Sequence, residues 1–415
     1  MTGSRTSFRS PGVILTLVLV PLAIATAIGL VALWPGGEIP DAGIVDVGAE
    51  FRDAEVVSAR PVDCEGANED RRPDGTIPPT VPCGDVVARV TEGPDRGLEV
   101  QVYSPTTVPV GELSPGTPIV LVRYPATESE PAIWVWQDFN RALPLGALAG
   151  AYAVVVIAVA GMRGLRSLLG LGFAFAIIGP FMLPALLEGG DPALVGLVAS
   201  SAIMFVVLYL AHGFSHRTTT ALLGTLVGLG VTAGLGTVAA RMAHLDGING
   251  EDTYQLALLT GHLTEGGLRG IFLAGVILAG LGVLNDVTIT QASAVWELRE
   301  SDPGASRRTL FSRGMRIGRD HIASTVYTMA FAYAGAALPV MLLLQVYQRP
   351  LIPTITSGEF AEEIARTAVG SIGLVLAIPL TTLISVLVVT AQPVVRGRHR
   401  HRDAEPHGHS HAHAG

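Results

Sequence analysis

Long apolar stretches constrain this chain more than any other feature of its sequence. A helix that crosses a bilayer needs about 20 mainly apolar residues. Hydrophobic residues make up 49% of the chain and charged residues 15%, whereas about a quarter of a soluble domain is charged. The sequence therefore excludes an ordinary soluble enzyme and predicts a mainly α membrane protein with about eight transmembrane helices, at 12–34, 145–162, 167–187, 192–211, 219–243, 268–294, 321–346 and 367–392.

The first apolar stretch is interpreted as an uncleaved anchor, so that residues 1–35 form a cytoplasmic N-terminal tail and the first transmembrane helix. Ala25-Thr26-Ala27 resembles a signal-peptide cleavage site, and a cleaved signal peptide is the alternative. The apolar run continues to Trp34, which is long for the core of a signal peptide and favours the anchor. Both interpretations place the next segment outside the cytoplasm.

Residues 36–143 form the one long polar segment and are predicted to be an extracytoplasmic β-domain. Pro/Gly turns separate short stretches in which apolar residues alternate with polar ones, at 55–59, 86–90, 98–103 and 119–124. Five or six such strands predict a small closed barrel of the OB or SH3-like kind. Cys64 and Cys83 are the only cysteines of the chain. Their shared segment predicts a disulfide, with two free thiols as the alternative.

The distribution of arginine predicts the orientation. With the N-terminus inside, fifteen arginines fall in cytoplasmic segments and four in the short outer loops and their helix ends. Basic residues concentrate on the cytoplasmic side of membrane proteins. We therefore expect a multi-pass protein of the bacterial plasma membrane with both termini cytoplasmic.

Two parts of the membrane region resemble each other. Gly164-Leu165-Arg166 opens one span and Gly267-Leu268-Arg269 opens another, and each is followed by a glycine-rich helix. In the predicted orientation the two copies start on opposite sides, so 164–243 and 267–392 would form an inverted 3+3 helix repeat, as in many transporters. Chance similarity in a Gly/Ala/Leu-rich sequence is the alternative.

Small residues and prolines predict local features of the spans. Glycines spaced through the fifth span predict close helix packing, at Gly224, Gly228, Gly230, Gly234 and Gly236. Prolines predict kinks in the third, seventh and eighth spans, at Pro180, Pro184, Pro339 and Pro379.

The sixth span carries the clearest polar stripe. Asp286, Thr290, Ser293 and Glu297 follow one another at helical spacing, with Asn285 beside them. Charged residues inside spans are costly and usually functional, so this stripe predicts a pathway for a proton or cation. The alternative is that the helix leaves the membrane here, with Asp286 at the cytoplasmic interface.

The seventh span adds a second polar face. Asp320, Ser324 and Thr328 share this face and could meet the first stripe. The alternative for Asp320 is an interfacial ion pair with Arg319 or Arg316.

The C-terminal segment 396–415 is predicted to be a disordered, cytoplasmic, His-rich tail. Alternating histidines in such a tract can bind Zn, Ni or Cu weakly, at His407, His409, His411 and His413. A tail without any metal role is the alternative.

Expected enzyme signatures are absent from the sequence. It contains no H-E-x-x-H, no G-x-S-x-G and no Walker A loop. We therefore expect no enzymatic activity, no catalytic residue and no cofactor. The basic segment 299–319 is interpreted as a membrane-proximal loop that touches anionic lipid and not as a nucleic-acid site.

Several blocks of the membrane region carry a family resemblance, namely Gly161-Met162-Arg163-Gly164-Leu165-Arg166-Ser167-Leu168-Leu169, Gly267 through Gly282, Asp286, Trp296-Glu297-Leu298, Ile317-Gly318-Arg319-Asp320-His321 and Ala334-Gly335-Ala336-Ala337-Leu338-Pro339. In these residues the chain resembles the YibE/F family of bacterial multi-pass membrane proteins. The resemblance covers most of residues 140–395 and implies a seven-helix membrane domain at 144–395, while leaving the activity open.

Two functions fit these patterns. The first is a permease or ion-coupled transporter of a small solute or ion, with the two polar stripes as its pathway. The second is a non-transporting scaffold or sensor that recruits an envelope protein through the β-domain. The lipid bilayer is a predicted partner in both.

Overall fold

The computed structural model describes residues 11–37, 48–72, 74–126, 131–245, 247, 253–256, 267–348 and 350–391. The chain divides into two compact units. One unit comprises residues 1–35, 173–254 and 264–415, and the other comprises 36–172 and 255–263. The predicted tail 396–415 and residues 1–10, predicted to be cytoplasmic, lie outside the described residues.

The second unit contains a five-stranded antiparallel sheet. Its strands are β1 (Glu50–Glu65), β2 (Thr80–Val90), β3 (Glu99–Ser104), β4 (Pro118–Tyr124) and β5 (Ile133–Phe139), in the order β3-β2-β1-β4-β5. The long β1 pairs with β2 through its C-terminal part and with β4 through its N-terminal part. Side chains that alternate along the strands form a core between them, including Val86, Ile119 and Leu121.

The sheet is not closed, so the predicted barrel is wrong. The edge strands β3 and β5 approach each other, but within the described residues no ladder of hydrogen bonds joins them. Side chains fill the space on the core side instead, among them Val102 of β3 and Trp136 of β5. A barrel needs every strand paired on both sides, and here β3 pairs only with β2 and β5 only with β4.

A disulfide joins neighbouring strands of this sheet. Cys64 of β1 bonds to Cys83 of β2, with the two Cα atoms 5.9 Å apart. Cys64 pairs with Val81 and Val62 pairs with Cys83 in the strand register. The bond therefore closes the loop 66–79 at the end of the β1–β2 hairpin.

The helix after the sheet differs from the sequence prediction. Spans were expected at 145–162 and 167–187, but α2 (Ala142–Ile177) runs through the first and into the second, followed by a π-helical turn (Ile178–Met182) and the short α3 (Leu183–Leu187). Gly161 lies near the end of the first expected span and has a φ of 59°, which interrupts the helical geometry. A left-handed φ is accessible to glycine without the clash that a β-carbon causes. The π turn contains Pro180, where a kink was predicted.

The other unit is a helical bundle. Its helices are α1 (Pro11–Ala32), α3, α4 (Pro192–His212), α5 (His216–Met242), α6 (Gly267–Ser301), α7 (Arg307–Ala336), α8 (Leu338–Tyr347), α9 (Leu351–Ile355) and α10 (Gly358–Ala391). The centre of the bundle is formed by α5, α6 and α10, and α4 and α7 pack against it. The helix α1 packs against α4, where Gly29 lies against Val198.

The described helices give fewer candidate spans than the eight predicted. Six are long and apolar enough to cross a membrane, and a seventh is obtained if α7 and α8 together form one bent span. The bend between α7 and α8 is 67° and lies next to Pro339. The counts differ because the predicted spans at 145–162 and 167–187 both fall within one 46-residue candidate helix.

Small residues allow α5 and α10 to pack closely. Four residues of α5 lie opposite four residues of α10 in antiparallel register, namely Gly224 on Thr381, Gly228 on Ala377, Thr232 on Gly373 and Gly236 on Val369. Successive contacts are four residues apart on both helices, so the small residues lie along one face of each helix. Gly230 and Gly234 have open space around them instead. Three of the five glycines predicted to promote packing therefore do so.

Candidate functional site

The predicted stripe of α6 lies on the outer surface of the bundle. Asp286, Thr290 and Glu297 are exposed, and Asn285 and Ser293 are half-buried. The helical spacing thus places these residues together, as expected. Their shared face, however, points away from the helices α5 and α10 that pack on α6.

The opposite face of α6 carries buried polar side chains. Thr288 and Gln291 lie there, and both are buried. The hydroxyl of Thr288 shares a 2.6 Å hydrogen bond with that of Thr225 on α5. This pair joins two helices across the middle of the bundle.

Gln291 connects three helices. Its Nε2 donates to the backbone oxygen of Gly314 on α7 at 2.9 Å and to Oγ1 of Thr382 on α10 at 2.7 Å. A side-chain amide nitrogen has two N–H groups, and both are used here. α7 can approach this side chain because Gly314 and Gly318, four residues apart, lack side chains.

α10 contributes hydroxyl groups to the same region. Thr381, Thr382 and Ser385 are buried. Thr382 donates to the oxygen of Ile378 at 2.7 Å. The hydroxyls of Thr381 and Ser385 are buried without a hydrogen-bond partner among the described residues. We call the group of Thr225, Thr288, Gln291, Thr381, Thr382 and Ser385 the polar seam.

The sequence analysis missed the α10 part of this seam. The signal was present, because three hydroxyl residues occur at positions 381, 382 and 385 of an otherwise apolar span. Their spacing of one and three residues places them on neighbouring sides of a helix. These hydroxyl residues were missed because the sequence analysis looked for charged residues inside the spans.

An acid–histidine pair lies on the outer side of α6 and α7. Oδ2 of Asp286 is 3.9 Å from Nε2 of His321. The Asp286 side chain is 73% exposed and that of His321 is 30% exposed. Neither Nε2 of His321 nor Oδ1 of Asn285 has a hydrogen-bond partner in the part of the chain that the structure describes. A carboxylate and an imidazole this close together can bind a cation between them.

The second predicted stripe does not turn toward α6. Asp320, Ser324 and Thr328 are exposed on α7. The hydroxyl of Thr328 donates to the oxygen of Ser324 one turn earlier, at 3.1 Å. The residues of α7 that reach α6 are others, among them His321 and the glycines at 314 and 318.

The histidines that were predicted to bind metal belong to the C-terminal tail. His407, His409, His411 and His413 lie outside the described residues. Within the described ranges, no cluster of three His, Cys, Asp or Glu side chains is arranged to hold a metal ion. The inverted repeat of 164–243 and 267–392 stays a prediction.

Comparison with known proteins gives one match. A family model described as YibE/F-like protein matches residues 148–391, which is more than half of the chain. No curated protein and no solved structure matches. The matched range includes α4 to α10 and therefore both the polar seam and the Asp286–His321 pair.

Proposed function

We propose that this chain, which belongs to the YibE/F-like family of multi-pass membrane proteins, is a permease or ion-coupled transporter of a small solute or ion. The observation that carries this proposal is the polar seam. It brings six hydroxyl and amide side chains into the centre of the helical bundle, where apolar residues would suffice for packing.

The energetics of the seam support a role beyond stability. A buried polar group without a partner costs about 1–3 kcal/mol, and Thr381 and Ser385 each carry such a hydroxyl. Buried unpaired groups of this kind call for an explanation. In a transporter they can replace part of the hydration shell of a passing solute or ion.

The Asp286–His321 pair is proposed as the coupling group. Asp286 lies sixteen residues after Gly270, where the candidate span begins, and this corresponds to about 24 Å along a helix. The hydrocarbon core is about 30 Å thick, so Asp286 would lie near one membrane boundary. A carboxylate beside a histidine at that depth can exchange a proton or cation with the adjoining water.

Reconstituted protein provides the test. Proteoliposomes are screened for flux of protons, common cations, zinc and nickel, with wild type compared with Asp286→Asn. We expect the substitution to abolish the coupled flux while leaving the amount of folded protein unchanged. Glu300→Gln is the matched control, because Glu300 is exposed on the same helix. Wild-type flux in Asp286→Asn would refute the coupling role.

The membrane and the orientation are part of the proposal. We propose the bacterial plasma membrane, with both termini cytoplasmic and the sheet on the outer side. The arginine distribution supports this orientation, as does a disulfide in the sheet, since disulfides persist in oxidising compartments. Accessibility of introduced cysteines to an impermeant reagent on whole cells tests it.

A scaffold or sensor is the second candidate, and one surface of the sheet favours it. Phe51, Val122 and Val135 lie side by side across β1, β4 and β5, next to the pair of Tyr124 and Ile133. All of these except Val122 are exposed on the face opposite the core. Exposed apolar patches often mark protein interaction sites.

Two substitutions separate the candidates. A cellular phenotype lost in Phe51→Ser but kept in Asp286→Asn would favour the scaffold, and the reverse would favour the transporter. Tyr103→Ser is the control for the patch, because Tyr103 is equally exposed but lies on β3.

A further inference from the structure

A cleft opens where α7 bends into α8. It has a volume of about 570 Å³ and lies between these two helices and α10. Small side chains create much of the space, since Ala330, Ala334, Ala336, Ala337 and Ala368 all line it. Its size falls within the range of about 300–1,000 Å³ typical of sites for small organic ligands.

The walls of the cleft are mainly apolar, with a few polar groups. Phe360, Ile364 and Met341 supply apolar surface, and Tyr333 and Thr367 supply a phenol and a hydroxyl. Glu363 is the one charged side chain among the described residues that line the cleft. An apolar site with few polar groups orients a ligand through those groups.

The charge of Glu363 is only partly compensated. Its Oε2 is 3.4 Å from Nε of Arg366, whereas a charge-assisted hydrogen bond measures about 2.7–2.9 Å. Arg366 is instead engaged with α6, where its guanidinium lies over the ring of Phe272 at 5.5 Å. A β-carbon on Gly275 of the same helix would come within 3.1 Å of Nη1. Arg366 does not line the cleft.

We propose that this cleft binds a small amphiphile with an apolar body and a cationic head. The head lies at the Glu363 carboxylate, and the ring of Tyr333 adds cation–π attraction. The apolar body occupies the space between the alanines. Ion pairing at Glu363 selects the cation over a neutral or anionic ligand of the same shape. The binding itself does not require transport. Only the further step, that such amphiphiles are the transported substrates, rests on the proposed function.

Binding of matched probes tests the proposal. The full chain in lipid nanodiscs is titrated with radiolabelled dodecyltrimethylammonium, dodecanol or dodecyl sulfate, which share one tail and differ in the head. We expect saturable binding of the cation, at least tenfold tighter than that of the other two. Empty nanodiscs report partition into lipid. Equal binding of all three probes would overturn the proposal, because the cleft would then hold any chain, including lipid tails.

Two variants locate the site. Glu363→Gln should weaken binding of the cation about tenfold or more while leaving dodecanol unchanged. Ala334→Trp should fill the cleft and abolish binding, whereas Ala332→Trp, on the same helix but not lining the cleft, should have no effect. Undiminished binding in Ala334→Trp would refute the location. If the protein binds the cationic probe but shows no flux, the transporter proposal is refuted and the ligand site stands. If the protein shows ion flux but does not bind the probe, the ligand site is refuted and the transporter proposal stands.

Discussion

Replacing Gly224 by alanine tests the packing of the central helices. An added β-carbon would lie 3.1 Å from Cβ and 3.2 Å from Cγ2 of Thr381, and closer still to its Oγ1. Carbon atoms prefer a separation of about 3.5–4.0 Å, so α5 and α10 must move apart. Overpacking of this kind costs about 1–3 kcal/mol. The same shift would loosen the contacts at Gly228 and Gly373, which belong to the same register.

Gly230→Ala is the matched control for this substitution. Gly230 lies on the same helix and has open space where a β-carbon would be placed. Alanine there gains up to about 1 kcal/mol of helix propensity without a clash. The two variants therefore share the propensity gain, and the difference between them isolates the clash.

Thermal unfolding of the full chain in a mild detergent measures the difference. For a domain of 150–250 residues, about 1 kcal/mol shifts Tm by about 2–4 °C. We expect Gly224→Ala to unfold roughly 5 °C below Gly230→Ala. Adding Thr381→Ala to Gly224→Ala removes Oγ1 and Cγ2 and should restore part of this loss. Equal Tm values for the two single variants would refute the packing of α5 against α10.

Three further predictions concern the sheet and the polar seam. Cys83→Ser opens a loop of about 20 residues and should destabilise the sheet by about 3 kcal/mol, measured by denaturant unfolding; an unchanged midpoint would contradict this. Hydrogen bonds from Arg60, and next from Gln101, lower the pKa of Asp85 from 3.8, so its stabilisation is complete above that pH and is lost as the pH falls toward the lowered pKa. Asp85→Asn should therefore flatten the pH dependence of unfolding between about pH 5 and 2, which is the range over which an aspartate with a lowered pKa affects stability. An unaltered profile would argue against the Arg60–Asp85 pair. Gln291→Leu removes the bonds to Gly314 and Thr382 and should cost about 1–3 kcal/mol, whereas a Tm equal to wild type would mean that the junction does not form as described.

The sequence determined the features that depend on composition and local spacing. Apolar stretches of bilayer length identified membrane helices, and alternation with turn residues identified a β-domain. The residues at Gly161–Leu169 and around Asp286 identified the family. These signals are local, because each arises from residues within one helix, one strand or one turn.

The tertiary structure decided which helical face points inward. Periodicity placed Asp286, Thr290 and Glu297 on one stripe of α6. It could not show that α5 and α10 pack on the opposite face of α6 and bury Thr288 and Gln291 there. That choice depends on small residues of other helices, far away in sequence. The hydroxyls of α10 are visible in the sequence, but only the packing of α5, α6 and α10 shows that they join Thr288 and Gln291 in one seam.

The same reason explains the open sheet and the lower number of candidate spans. Closing a barrel depends on whether β3 and β5 pair across the fold, and the alternation within each strand carries no information about this pairing. Likewise, the continuation of α2 past Gly161 and the 67° bend between α7 and α8 set the number of candidate spans. Composition determines which segments can span the bilayer. Contacts between distant segments determine where these helices end and which of their faces point into the bundle.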